Sequence, residues 1–301
     1  MEFIFYLAPL FGGVGIALLP GVNNFIAQYT GRAGFAILLN FLLGAVVLTS
    51  IYLLFSTVYL AKLKEIPLWS FLGGLYGTVT VVVMTITPAK LGIGKTLAVF
   101  ITARLTSATV IDHFGWFQML QELISFLQVV GIGLAVIGTL FILRVRAKQS
   151  FSQKTIMIYC LLCFLSGIFS SLQSTTNASL LQQTNDMVFV TWLNFIENLL
   201  CFLVFYKIFS RQKLHIFHPQ KVYIWGLLSV LCSLTVISMM ALGSSTIGVA
   251  NTVVLSIVTQ MITSIIIDHF GWLRVAQHSF NSKSLIGLLL LLSGAYSVIS
   301  Y

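Results

Sequence analysis

Long apolar runs follow one another along almost the whole chain, and only short polar breaks separate them. Each run is about 20 residues long, the length that an α-helix needs to cross a hydrocarbon core of about 30 Å. The pattern therefore predicts an all-α integral membrane protein with ten transmembrane helices. We place them at residues 3–29, 34–59, 67–88, 91–112, 123–143, 155–183, 187–208, 221–242, 246–267 and 283–300.

One hexapeptide, Ile-Asp-His-Phe-Gly-Trp, occurs at residues 111–116 and again at 267–272, which are 156 positions apart. The same offset pairs Trp69 with Trp225 without a gap. Further upstream, as differences in loop length would cause, the offset falls to 154 for Asn40 with Asn194 and to 153 for Asn24 with Asn177. The chain therefore consists of two copies of one unit, and such repeats bear on every later inference.

Each copy contains five of the predicted helices. We assign residues 1–146 to the first copy, 147–154 to a short basic linker and 155–301 to the second copy. An odd number of spans makes the second copy enter the membrane from the opposite side, which gives the inverted repeat of many secondary transporters. Lys and Arg collect in cytoplasmic loops, and inverted insertion places most of the 16 such residues on one face. Both termini are then expected outside.

Composition defines the surroundings of these helices. Hydrophobic residues make up 58% of the 301 positions, charged residues only 8%, and the mean hydropathy is +1.01. Globular chains carry about 25% charged residues, so a soluble protein is excluded and membrane lipid is the expected environment. The net charge of +9 comes mostly from loops that face an anionic inner leaflet. It does not require a nucleic acid partner.

Ionisable side chains inside the predicted spans are the first candidates for function, because such groups are costly at membrane depth and usually face a cavity or a partner. Glu197 lies near the middle of the seventh span, between Asn194 and Asn198. Arg104 lies midway along the fourth span, and its repeat equivalent is Gln260. Three interpretations stay open. Arg104 and Glu197 form a structural ion pair, or Glu197 binds a cation or proton while Arg104 binds an anionic or polar group, or the two residues lie at another depth than the span limits imply.

Further amide side chains lie on the first helix of each copy. Asn24 follows Pro20 by four residues, and Gln173 precedes Asn177 by four. Proline removes a backbone hydrogen bond, so Pro20 is expected to free a carbonyl group for a ligand or a neighbouring helix. The predicted binding cavity comprises Glu197, Arg104, Asn194, Asn198, Asn24, Asn177, Gln173, Gln260 and Asn40.

The repeated Asp-His pairs, Asp112-His113 and Asp268-His269, are a possible metal or acid/base site. In inverted copies, however, the two pairs end equivalent helices on opposite faces, roughly 30 Å apart, and cannot form one centre. We expect a structural corner in which the Asp satisfies free backbone groups. The Cys160-x-x-Cys163 motif lacks two further ligands for zinc. No metal, no cofactor and no enzymatic activity are therefore predicted.

These motifs together resemble the YdcZ-type family of the drug/metabolite transporter superfamily, in a fused two-unit form. The matching residues are Asn24 and Asn177, Trp69 with Gly73-Gly74, Leu91-Gly92 and both hexapeptides. The family's Gly-Gln pair is replaced by Ala103-Arg104 and Thr259-Gln260, and its Gly-Gly by Ser229-Val230 in the second copy. The resemblance implies export of a small molecule across the cytoplasmic membrane of a bacterium.

The predicted function is a secondary transporter with a small-molecule solute in a cavity near the midplane of the membrane. The chain contains no phosphate-binding Gly-x-x-x-x-Gly-Lys-[Ser/Thr] motif, so the energy is expected to come from an ion gradient, a partner subunit or the gradient of the solute itself. Glu197 is the best candidate for a coupling proton, because an isolated carboxylate is costly to keep charged in a membrane. The alternatives are a non-transporting scaffold or subunit and an uncoupled facilitator. No pattern in the chain indicates an oligomeric state.

Overall fold

The computed structural model describes residues 3–56, 66–143, 152–209, 220–274 and 282–298. These residues form helices and turns and contain no strand, which confirms the predicted all-α membrane fold. Within them, nine helical segments are long and apolar enough to cross a membrane, and Leu285–Val298 is a shorter apolar helix. The helices are α1 (Phe3–Thr30), α2 (Ala33–Phe55), α3 (Gly73–Ile86), α4 (Pro88–Leu91), α5 (Ile93–Phe114), α6 (Phe126–Leu143), α7 (Gln153–Thr184), α8 (Met187–Phe209), α9 (Gln220–Ile247), α10 (Val249–Phe270) and α11 (Ser282–Val298).

The third predicted span is a composite of three short pieces. A 3₁₀ helix at Leu68–Leu72 leads into α3, and the single turn α4 follows. Pro88 is the first residue of α4, where proline is favoured because its missing N–H would have no partner there. Gly92 has φ of 83° and separates α4 from α5, a conformation that glycine adopts without steric cost. The span therefore has irregular backbone at both ends.

The last helices of the two copies, α6 and α11, pack against each other through glycines. A Cβ atom added to Gly131 would lie 2.5 Å from the carbonyl oxygen of Gly294, and one added to Gly138 would lie 2.5 Å from that of Gly287. Small residues allow such close approach of two helices in a membrane. Because these contacts pair the start of one helix with the end of its equivalent, the two helices run antiparallel, as an inverted repeat requires.

The two copies are interleaved rather than packed as separate lobes. Helix α1 of the first copy packs mainly against α9 and α10 of the second, and α7 of the second copy packs mainly against α3 and α5 of the first. The largest core cluster accordingly combines side chains from both copies, including Leu97 and Ile101 of α5 with Val253 and Ile257 of α10. Each first helix is thus held by the opposite copy.

The repeated hexapeptide forms the same turn in both copies. Helix α5 ends at Gly115 (φ 59°, ψ 35°) and α10 at Gly271 (φ 61°, ψ 31°), both in the left-handed conformation that glycine favours at a helix C-terminus. A 3₁₀ turn follows each glycine, at Trp116–Gln118 and Trp272–Arg274. The repeated sequence therefore forms the same backbone turn, with glycine in the left-handed conformation, at the end of α5 and of α10.

Candidate functional site

A cavity lies between the two copies, lined by α1, α2, α3, α5, α7, α8 and α9. Its empty volume is about 560 Å³, counting the space at its mouth. Ten of its lining residues form repeat-equivalent pairs: Ile16 with Ser170, Leu19 with Gln173, Phe41 with Phe195, Thr80 with Val236, and Val81 with Ile237. The cavity thus lies on the approximate two-fold axis that relates the copies, which in an inverted repeat lies in the membrane plane.

The two sides of the cavity differ in polarity. Helix α7 contributes Ser170 and Gln173, whereas α1 places the apolar equivalents Ile16 and Leu19 on the opposite side. The aromatic lining comes from Phe41, Phe100 and Phe195. An apolar space with a few polar groups on one side is typical of a site for a small organic ligand.

Most of the predicted site residues lie outside this cavity. Of the nine candidates, Gln173 and Asn198 line it. Asn194 is the centre of an amide network instead: it donates to Asn177 Oδ1 at 3.0 Å and accepts from Asn198 at 2.8 Å and from Gln173 at 3.2 Å. The hydroxyl of Thr78 donates to Asn198 Oδ1 at 3.1 Å. The network joins α7, α8 and α3, and two of its members reach the cavity.

The glycines at the start of α3 make room for this network. A Cβ atom on Gly73 would collide with the Asn177 and Asn194 side chains, and one on Gly77 with those of Gln173 and Asn198. Gly73 and Gly77 therefore allow the backbone of α3 to lie directly on the amide side chains of α7 and α8.

Glu197 is bound to α3 and not to Arg104. Its Oε2 accepts a hydrogen bond from the backbone N–H of Gly74 at 2.7 Å, and the first N–H groups of a helix have no partner within the helix. Glu197 is partly buried, and on the same side of α8 Leu200 and Val204 are 58% and 57% exposed. The carboxylate therefore lies between α3 and the face of α8 that meets lipid, beside the cavity-lining Asn198.

Arg104 is fully enclosed, with 1% of its surface exposed. Its Nη1 donates to the hydroxyl of Ser256 at 3.3 Å, and its guanidinium carbon lies 6.0 Å from the centre of the Phe100 ring. Within the described part of the chain, neither Nε of Arg104 nor the side-chain atoms of Gln260 have a hydrogen-bond partner. Arg104 and Glu197, both described by the structure, therefore do not form the ion pair that the sequence left open.

In the first copy the equivalent contacts use hydroxyl groups. Asn40 donates to Ser233 Oγ at 2.8 Å, and Ser229 donates to Asn23 Oδ1 at 2.6 Å. Ser229 is the equivalent of Gly73, against which Asn177 packs, so Asn23 rather than Asn24 occupies the position of Asn177. The offset of 154 thus continues through this pair, and the sequence-based pairing of Asn24 with Asn177 was wrong by one residue.

The first Asp-His pair forms a corner between the copies. Asp112 Oδ1 accepts from the backbone N–H of Val249 at 3.2 Å, and Oδ2 from that of Ala250 at 2.6 Å. It therefore satisfies the free N-terminus of α10, while His113 Nδ1 accepts from Ile124 N–H at 3.1 Å. No cluster of three potential metal ligands occurs among the described residues. The side chains of Asp268 and His269 lie outside them.

Among the described residues, nine membrane-spanning segments and one shorter apolar helix form an inverted repeat around a central cavity, an arrangement that many transporters share. The chain belongs to the family described as "Putative inner membrane exporter, YdcZ", whose sequence model matches residues 4–141 and 158–297. The protein is therefore a multi-pass membrane protein of the bacterial inner membrane, in a family of exporters.

Comparison with solved structures supports the fold alone. A chain described only as the crystal structure of a protein is similar over 96% of this chain and 95% of its own length, with a TM-score of 0.64 and 16% sequence identity. No curated protein sequence matches the chain significantly.

Proposed function

We propose that the protein is a secondary transporter that exports a small organic solute through the cavity between its two copies. The observation that carries this proposal is the position of the cavity on the approximate two-fold axis, with repeat-equivalent residues on both sides. Inverted-repeat transporters bind solute at such a place, and exchange of conformation between the repeats opens it to either face.

The packing suggests which parts move. Since α1 packs against α9 and α10, and α7 against α3 and α5, the moving units are mixed bundles, each containing helices of both copies. Motion between the bundles would open the cavity on one face and close it on the other. The contact of Asp112 with the start of α10 joins α5 to α10 across these bundles, so this corner would close one face of the cavity.

Glu197 is the proposed coupling site for a proton. The bond from Gly74 N–H to its Oε2, at 2.7 Å, has the length of a charge-assisted hydrogen bond. Protonation removes the charge and weakens this bond. Because α3 also carries the cavity-lining Thr80 and Met84, release of its N-terminus would change the shape of the cavity. Proton binding at Glu197 is thereby linked to solute binding through α3.

The test is flux of a broad solute panel in sealed vesicles containing the purified protein, with and without an imposed pH gradient. We expect gradient-driven flux of at least one solute, and loss of its gradient dependence in Glu197→Gln, which keeps side-chain size but cannot carry the charge. Lys154→Gln is the matched control, because it removes a charge at the exposed start of α7, and it should keep coupled flux.

The other outcomes separate the alternatives. Flux that is equal with and without the gradient in all three proteins would contradict coupling and indicate a facilitator. No flux of any solute, with proteins that are folded and oriented in the vesicles, would contradict transport and leave a scaffold or subunit as the function.

A further inference from the structure

Buried polar atoms without a partner are concentrated at one place in the membrane. Of six such side-chain atoms among the described residues, three belong to Arg104 and Gln260: Nε of the first, and Nε2 and Oε1 of the second. Arg104 is 1% exposed and Gln260 is 0% exposed. Buried polar groups are nearly always hydrogen-bonded in native proteins, and exceptions call for a specific cause such as a missing ligand or water.

The two residues lie on helices that pack together. They are repeat equivalents on α5 and α10, which pack together. Arg104 Nη1 contacts Ser256 at 3.3 Å, and Ser256 and Gln260 are four residues apart on α10, so they share one face of that helix. Gln260 is therefore one helical turn from the residue that the guanidinium contacts.

This place also lacks a negative charge. Among the described residues, the polar side-chain contact of the guanidinium is the neutral hydroxyl of Ser256. A buried cation without a partner is strongly unfavourable, and removal of one partner from a buried ion pair is much more costly than loss of a surface pair. An anionic ligand would supply the missing charge.

The cavity ends beside this place, and Arg104, Ser256 and Gln260 lie just outside its lining. Phe100 lines the cavity and also lies under the guanidinium, with 6.0 Å between its ring centre and the guanidinium carbon. On the neighbouring helix α7, Ser170 lines the cavity, and the next residue, Ser171, donates to the backbone carbonyl of Arg104 at 2.8 Å. A solute in the cavity with its polar end toward α7 therefore has Arg104 behind the Phe100 ring.

We propose that, when the Phe100 ring turns aside, Arg104 and Gln260 bind the carboxylate of the solute while its apolar body occupies the cavity. Ser256 orients the guanidinium, because its oxygen accepts from Arg104 Nη1 and its hydroxyl donates to the carbonyl of Val253. A guanidinium binds a carboxylate through two parallel N–H donors, and the Gln260 amide adds a third donor. The solute class is a small organic monocarboxylate with an apolar or aromatic body. The identification of this ligand as the transported solute rests on the proposed transport function, whereas binding itself does not.

The experiment is thermal unfolding of the full-length protein in detergent with benzoate or benzamide, which have similar shape and differ in charge. Sodium chloride at equal ionic strength is the reference. We expect benzoate, and not benzamide, to raise the unfolding temperature in a saturable way. Arg104→Gln should weaken the apparent affinity for benzoate by about tenfold or more, the loss expected when a charge-assisted bond is removed. Lys95→Gln, nine residues before Arg104 on the same helix, should leave it unchanged.

Equal stabilisation by benzoate and benzamide would overturn the proposal, as would full benzoate binding by Arg104→Gln. Arg104-dependent stabilisation by chloride, with no competition from benzoate, would also overturn it and indicate an inorganic anion. Gln260→Leu provides a second variant if Arg104→Gln does not fold, and retention of full benzoate affinity there would contradict the site. Benzoate binding without any flux in the vesicle panel would refute transport while leaving the carboxylate site in place, so the two failures are distinguishable.

Discussion

Alanine at Gly131 tests how the last helices of the two copies are joined. The added Cβ atom would lie 2.5 Å from the carbonyl oxygen of Gly294, with the Ser297 Cβ atom at 3.0 Å. An ordinary close contact between carbon and oxygen is about 3.3 Å, so α6 and α11 must separate locally by up to about 0.8 Å. The nearest atom belongs to the backbone and cannot rotate away, and overpacking of this kind costs about 1–3 kcal/mol.

Gly133 provides the matched control on the same helix. Nothing lies within 4 Å of a Cβ atom at this position, and alanine in a helix is favoured over glycine by about 0.5–1 kcal/mol. Gly133→Ala should therefore be neutral or slightly stabilising. Because both variants gain the same preference for alanine, they should differ in free energy of unfolding by the overpacking cost alone, about 1–3 kcal/mol. The assay is equilibrium unfolding in mixed micelles by titration with a denaturing detergent, followed by tryptophan fluorescence.

The reciprocal variant sharpens this test. A Cβ atom on Gly294 would meet the backbone of Gly131 and, at 2.7 Å, the N atom of Ala135. One separation of the helices relieves both clashes, so the cost of the double variant Gly131→Ala with Gly294→Ala should be clearly below the total of the single costs. Equal stability of Gly131→Ala and Gly133→Ala would refute the close packing of α6 on α11.

Two further substitutions test the inter-copy corner and the amide network. Asp112→Ala removes the acceptor for the N–H groups of Val249 and Ala250; a lost cap costs about 0.5–2 kcal/mol, and amide hydrogen exchange should accelerate in the first turn of α10. Unchanged exchange there would contradict the capping role. Asn194→Ala removes the centre of three hydrogen bonds and should destabilise the protein by about 1–3 kcal/mol for each buried group left unpaired, measured by the same detergent titration. A loss well below this range would mean that water replaces the amide.

The membrane spans could be predicted from the sequence because, in lipid, the length of an apolar run is nearly sufficient to identify a transmembrane helix. Backbone groups have no water to bond within the hydrocarbon core, so an apolar run of about 20 residues must form a helix. The predicted seventh span at 187–208 accordingly differs from α8 (Met187–Phe209) by one residue. The third span was less predictable, because nothing in its sequence distinguishes the 3₁₀ turn at Leu68–Leu72 from ordinary helix.

The candidate site was only partly predictable. Amides and charged groups in apolar runs are conspicuous, and Asn194, Asn198 and Gln173 do come together. The hydroxyl members could not be selected, because Ser and Thr in a helix commonly bond their own backbone, as Thr235 does with Leu231. Thr78 has the same local bond but also reaches Asn198. Only the tertiary arrangement separates these two cases.

The copies have kept their packing and diverged in their chemistry. Where α8 of the second copy carries Glu197 and Asn198, the equivalent residues of α2 are Leu43 and Gly44, and the partner of the carboxylate, Gly74, corresponds to Val230. A carboxylate on the first-copy side would have no free N–H group of a helix start to bind, because Val230 lies inside the unbroken helix α9 (Gln220–Ile247). The irregular start of α3 is therefore what permits a carboxylate at this depth, and it occurs beside one of the two equivalent helices. On the proposed mechanism, this asymmetry limits coupling to one proton per transport cycle, because the duplicated fold offers a second location for a carboxylate but not a second group to bind it.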